Sequence, residues 1–166
     1  RTELADARAE QLAREKAHLE TQLKLLQAQI EPHFLFNTLG NVVGMVRTQP
    51  DAAEKTLIDL TTLLRAALKR TRTEQSTLAD ELTVITALLE INQIRMGNRL
   101  NWSVDVPEEL KSTPLPPMLL QPLVENAVKH GIEPEETGGS IHIQVERKAD
   151  VLVITIADTG TGLGHG

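Results

Sequence analysis

Three short clusters hold the residues whose types and spacing could do chemistry. The first is Glu31-Pro32-His33-Phe34-Leu35-Phe36-Asn37, an imidazole with a carboxamide four residues on. Neutral imidazole is a nucleophile, and on a helix a side chain one turn away can hold one ring nitrogen, so Asn37 is placed to orient His33. Taken alone, a histidine in an apolar helix is more often structural. The second cluster is Leu119-Leu120-Gln121-Pro122-Leu123-Val124-Glu125-Asn126-Ala127-Val128-Lys129-His130-Gly131. Its apolar positions define a buried face and leave Asn126, Lys129 and His130 together on the other. An amide oxygen such as that of Asn126 suits Mg²⁺, a hard cation that also takes phosphate oxygens, and Lys129 and His130 could meet those phosphates directly. The third is Asp158-Thr159-Gly160-Thr161-Gly162-Leu163 behind an apolar strand. A carboxylate there can accept from an exocyclic amine such as that of adenine, and Gly160 and Gly162 let backbone approach a ring closely. By itself D-x-G-x-G is equally an ordinary glycine-rich turn.

The elements that must position these residues follow from periodicity. Leu12, Leu19 and Leu26 stand seven apart, with Leu23 and Ile30 four residues after the last two, among Arg, Glu, Lys and Gln. This is a coiled-coil lead-in, which Pro32 disturbs because it lacks an N–H and its ring clashes with the preceding turn. On a regular helix Glu31 lies roughly opposite His33. The helix resumes to Val46 and stops near Thr48-Gln49-Pro50-Asp51. Leu57, Leu60, Leu64 and Leu68 make the next stripe, ending in Lys69, Arg70 and Arg72. Thr77 with Asp80 has capping-box spacing, and Leu78, Leu82, Ile85, Leu89 and Met96 hold one face up to Gly97-Asn98. Two helical arms form a hairpin, and two hairpins could close a four-helix bundle. Beyond residue 100 the period changes. Trp102, Val104 and Val106 alternate, as do residues 141–145, while 151–156 read as a strand buried on both faces. Pro116-Pro117 can open a helix running to Lys129 with Leu119, Leu120, Leu123 and Ala127 inward. The expected fold class is α+β, with a helix over a mainly antiparallel sheet in the second part.

Charge divides the chain at the same place. The net charge is −6, and residues 101–166 supply all of it, with 4 Lys+Arg against 10 Asp+Glu. An acidic second part and only 2 % aromatic residues argue against nucleic-acid binding. Cysteine is absent, which excludes a disulfide framework and a thiol nucleophile. No apolar run is long enough to span a bilayer. Residues 1–100 and 101–166 are therefore expected to be two domains.

Together the three clusters resemble the LytS-type sensor histidine kinases. "QAQIEPHFLFNTLGN" is similar to that family's phospho-acceptor signature, "LLQPLVENAVKHGI" to its N box, "IADTGTGL" to its G1 box, and "LEINQIRMGNRL" to the exit from its dimerisation domain. The resemblance implies a helical dimerisation and phosphotransfer domain followed by an α/β-sandwich ATP-binding domain. It implies His33 as phospho-acceptor, with Asn37 or water in place of the acid that most histidine kinases put after that histidine. It implies Asn126 as the Mg²⁺ ligand, Lys129 and His130 at the phosphates, and Asp158, Gly160 and Gly162 at adenine. ATP and Mg²⁺ are the implied cofactors, and a homodimer and a response regulator's receiver domain the implied partners. The membrane is reached only through a sensor segment outside this sequence, so the chain is expected on the cytoplasmic face. The family's second glycine-rich box and the rest of its lid are expected to lie beyond Gly166. Two other functions fit the same residues. One is a non-catalytic dimeric scaffold, and the other an ATPase in which Glu125 activates water.

Overall fold

A computed structural model describes residues 2–29, 31–70 and 75–159, with side chains at 2–21, 31–68 and 75–159. Helices α1 (Thr2–Gln29), α2 (Pro32–Met45) and α3 (Pro50–Arg70) come first. Leu12 and Leu19 of the lead-in are exposed along α1, whereas the side chains of Leu23 and Leu26, and all of Ile30, lie outside the described residues. Pro32 begins a helix rather than bending one. It stands in the first turn of α2, where its missing N–H has no intrahelical partner to lose, and Glu31 before it is extended at φ −56°, ψ 122°. The α2–α3 hairpin packs Thr38 and Val42 of α2 toward Ala53, Thr56, Leu60, Leu63 and Ala67 of α3. The buried face of α3 is thus turned from the expected one. Leu57 and Leu68 are exposed, while Ala53 and Ala67 are buried.

Strand β1 (Ser76–Thr77) leads into α4 (Leu78–Met96). The expected capping box is present, with Asp80 N donating to Thr77 Oγ1 and Thr77 N to Asp80 Oδ2, both at 3.2 Å. Leu78, Ile85 and Leu89 of α4 are fully buried against the sheet. That sheet runs β2–β4–β5, from β2 (Leu100–Asp105), β4 (Gly139–Lys148) and β5 (Val151–Asp158). The two-residue β3 (Pro114–Leu115) pairs with β1.

The sheet is mixed rather than mainly antiparallel. β2 and β4 are parallel, Leu100 opposite Gly139 through Asp105 opposite Gln144, and β4 and β5 antiparallel. The reason lies in the connection, since a helix between β2 and β4 returns the chain to the same end of the sheet. Among the described residues β5 pairs with β4 alone and Val151 is exposed, and the clean alternation falls on β4, where Ile141, Ile143 and Val145 are buried.

Helix α5 (Gln121–Asn126) also starts later than Pro116-Pro117 implied. Glu81 of α4, only 1 % exposed, accepts from the backbone N–H of Met118 and of Leu120 at 3.2 Å each. Those amides are held in a turn, with Met118 at φ 62°, before the helix opens at Gln121. The resulting phase buries Leu120, Val124, Ala127 and Val128 and leaves Leu119 and Leu123 exposed. A π-helical turn, Ala127–Ile132, follows.

Candidate functional site

Helix α2 presents His33 and Asn37 on its exposed side while Phe34 and Leu35 pack against the core. Asn37 Nδ2 lies 3.2 Å from His33 Nδ1, within hydrogen-bond distance, the one-turn contact that the spacing predicts. From the other side, α5 and the π-helical turn present Asn126, Lys129 and His130, all exposed. The two sets line one cleft of about 510 Å³, His33 and Asn37 on one wall and Asn126, Lys129 and His130 on the other. α4 closes it with Asn92 and Arg95.

Glu31 differs from expectation. Because it caps α2 instead of continuing α1, it does not point away across a regular helix but lines the same cleft as His33. Glu125, beside Asn126, also lines it, and its carboxylate accepts from Gln121 Nε2 at 2.8 Å.

Asp158 ends β5 and lies outside that lining. Its carboxylate stands against the π-helical turn, with Oδ1 2.9 Å from where a Cβ at Gly131 would be. Glycine at 131 therefore makes the room that Asp158 occupies. Next to it, Thr159 fixes the end of β4, its N–H donating to Ser140 O at 3.1 Å and its hydroxyl accepting from Ser140 N at 2.9 Å. Gly160 and Gly162 lie outside the described residues.

Spacing alone brings together His33 with Asn37, and Asn126 with Lys129 and His130. It did not reveal Gly131 as the seat of Asp158, nor Arg95 and Glu133 as cleft residues. Arg95 Nη2 donates to Asn92 Oδ1 at 2.8 Å and pairs with the Glu133 carboxylate. The three-residue step from Asn92 to Arg95 was visible in the sequence, whereas Glu133 meets them only across the fold.

Residues 21–100 match the family model described as Histidine kinase. Sensor histidine kinase BtsS of Escherichia coli K12 is 39 % identical over 151 residues, 90 % of this chain and 27 % of that protein. Sensor histidine kinase YpdA of the same strain is 38 % identical over 162 residues, 98 % of this chain and 28 % of that protein. Sensor protein LytS of Staphylococcus epidermidis RP62A is 33 % identical over 144 residues, 87 % of this chain and 24 % of that protein. The chain thus spans about a quarter of the length of these relatives. Among solved structures, the histidine kinase domain of the blue-light activated kinase of Erythrobacter litoralis EL346 aligns with TM-score 0.45 and 16 % identity, over 89 % of this chain and 72 % of that one. By its sequence matches, the chain belongs to the histidine kinases of the LytS type.

Proposed function

We propose that this chain is the catalytic segment of a two-component sensor kinase, moving the γ-phosphoryl of ATP to His33 and from there to an aspartate of a response regulator's receiver domain. One observation carries the reading: the acceptor imidazole and the Asn126–Lys129–His130 set line the same cleft. A lone structural histidine has no need of that juxtaposition.

The residues fit the chemistry. Asn126 offers a hard amide oxygen of the kind Mg²⁺ takes, and Mg²⁺ there would neutralise charge on the phosphates. Lys129 and His130 are within the same exposed turn to meet phosphate oxygens. Asp158, with Gly160 and Gly162 behind it, is the adenine reader in this assignment. A lone pair on the His33 ring forms the N–P bond, and the bond from the γ-phosphorus to the bridging oxygen breaks with its electron pair on ADP. The second ring nitrogen then gives up its proton to water or to Glu31, which shares the cleft. Catalysis of this kind is chiefly positioning and charge neutralisation.

The division into units is placed after residue 100, where the family match to residues 21–100 ends and which keeps α4 with α3, on which it packs. The homodimer is assigned to α2, whose Phe36, Leu39, Val43 and Val46 form an exposed apolar seam at heptad spacing. Among the described residues no helix is long and apolar enough to cross a membrane, and membrane attachment is assigned to a sensor segment outside this chain.

The test uses the full-length kinase with Mg²⁺ and γ-labelled ATP. Acid-labile, base-stable label is expected on the wild type and absent from His33→Gln. Label persisting in that variant would overturn the acceptor assignment. Phosphate release without phosphohistidine, abolished by Glu125→Ala, would favour the ATPase reading instead, and neither label nor nucleotide binding would favour the scaffold.

A further inference from the structure

One cation of the cleft is held in a set orientation, the guanidinium of Arg95. It lies on the last turn of α4, on the wall of the cleft that holds His33 and Asn126, with its side chain 38 % exposed. Asn92, through which it is held, is buried, its Nδ2 donating to Leu88 O at 2.8 Å. Asn92 therefore cannot swing, and its Oδ1 fixes Arg95 Nη2 at 2.8 Å while Glu133 pairs with that same nitrogen from the far side of the cleft. Both bonds leave from Nη2. Among the described residues neither bond uses Nη1 or Nε, so single donors of the guanidinium remain for a ligand.

The charge of the cleft gives that edge a purpose. Glu31, Glu125 and Glu133 bring three carboxylates to the lining, with Lys129 as the other fixed cation. A polyphosphate entering here needs more positive charge than one lysine supplies. A guanidinium held through Nη2 can still donate from Nη1, a charge-assisted hydrogen bond to a phosphoryl oxygen. A purely structural tie between α4 and the residue after the π-helical turn would not require a buried asparagine to preset the guanidinium in the cleft.

We propose that Arg95 is a catalytic residue of the phosphotransfer, donating from Nη1 to an equatorial oxygen of the γ-phosphoryl as it passes to His33. The inference rests on the kinase reading above. Arg95 donates hydrogen bonds throughout and gives up no proton. The N–P bond forms from the imidazole lone pair, ADP leaves with the bridging oxygen's electron pair, and the ring proton goes to water or to Glu31. Because the γ-phosphoryl becomes planar, with its charge spread over the equatorial oxygens, only midway, Arg95 acts on the rate more than on ATP affinity.

The experiment compares full-length wild type with Arg95→Ala and with the exchanged pair Arg95→Glu/Glu133→Arg. Three quantities are followed: labelling rate at saturating ATP, affinity for a non-hydrolysable ATP analogue, and Tm. For Arg95→Ala the rate is expected to fall on the order of 10²–10³-fold, with analogue affinity changed by less than about threefold. The exchanged pair is expected to recover Tm through a restored ion pair and to stay as slow as Arg95→Ala. Recovery of the rate in the exchanged pair would reduce Arg95 to a tie between α4 and Glu133 and overturn the proposal. So would a loss of affinity in proportion to the rate, or a wild-type rate in Arg95→Ala. If the wild type itself acquires no phosphohistidine, the kinase reading fails and the Arg95 role fails with it, an outcome distinct from a labelled wild type with an unaffected variant.

Discussion

His33 and Asn37 are one helical turn apart, and their contact makes the imidazole's orientation a property of α2 alone. Asn37→Ala removes a single exposed hydrogen bond, so the fold is expected to keep its Tm within a few degrees. The labelling rate should fall by roughly tenfold, the scale of one oriented hydrogen bond. An unchanged rate would leave Asn37 without a part in catalysis. Gly131 is a residue of the opposite sort, significant for what it leaves out. Gly131→Ala puts a methyl 2.9 Å from Asp158 Oδ1, and the short carboxylate is the group that can yield. Nucleotide affinity is therefore expected to drop about 10- to 100-fold, the value of one charged hydrogen bond, with little loss of stability. Calorimetric titration of the full-length variant checks both. The first contact was legible in the sequence because four residues is one turn. The second was not, since 27 residues and a β-hairpin separate its partners.

Between elements, the contact of α3 with α4 holds an acid pair that periodicity did not disclose. Asp59 of α3 is 7 % exposed, its Oδ2 alone is buried with no hydrogen-bond partner among the described residues, and burial, followed by hydrogen bonding of the carboxyl to Glu90 of α4, pushes it up to about 7. Lys55, 3.2 Å from Glu90 Oε2, is itself held above its ordinary value chiefly by hydrogen bonding to Glu90, and Lys111 lines the groove beside the pair. The folded chain thus binds a proton that the unfolded one, with Asp near its ordinary value of 3.8, has released. Stability from this group is complete below that ordinary value and is lost as pH rises through about 7. Asp59→Asn keeps a neutral amide in the same space and should flatten the dependence. Its Tm is expected to fall less than the wild type's between about pH 5 and about pH 8. Equal falls in the two proteins would show that Asp59 does not carry a proton at the helix contact. Apolar stripes locate helices well. The face of α3 that is buried carries Ala53, Thr56, Asp59 and Ala67 beside its leucines, and such a face is not visible as an apolar stripe.

For the molecule as a whole, the apolar residues left in solvent are as informative as those buried. Phe36 and Val43 are 70 % and 75 % exposed, seven residues apart on α2, with Leu39 and Val46 completing the seam. Leu64, by contrast, packs within the chain's own core. Val43 is therefore the site at which charge disturbs association without disturbing the hairpin. Val43→Asp is expected to turn a dimer of the full-length kinase into monomer in sedimentation, by burying an unpaired carboxylate at a cost of about 3–5 kcal/mol. A variant that stays dimeric would place the interface elsewhere.

The sequence by itself determined the element order, the capping box at Thr77, the one-turn pairing of His33 with Asn37 and the common face of Asn126, Lys129 and His130. All of these depend on residues a few positions apart, where helical and strand periods act directly. Tertiary structure decided where Glu31 points, where α5 begins, how β2 runs against β4, and which residues meet across the cleft. Those outcomes turn on contacts between distant segments, above all the Glu81 carboxylate capturing two amides near residue 120 and Glu133 reaching Arg95. Local period cannot encode them, because the same side chain satisfies its hydrogen bonds equally well wherever the fold brings it a partner.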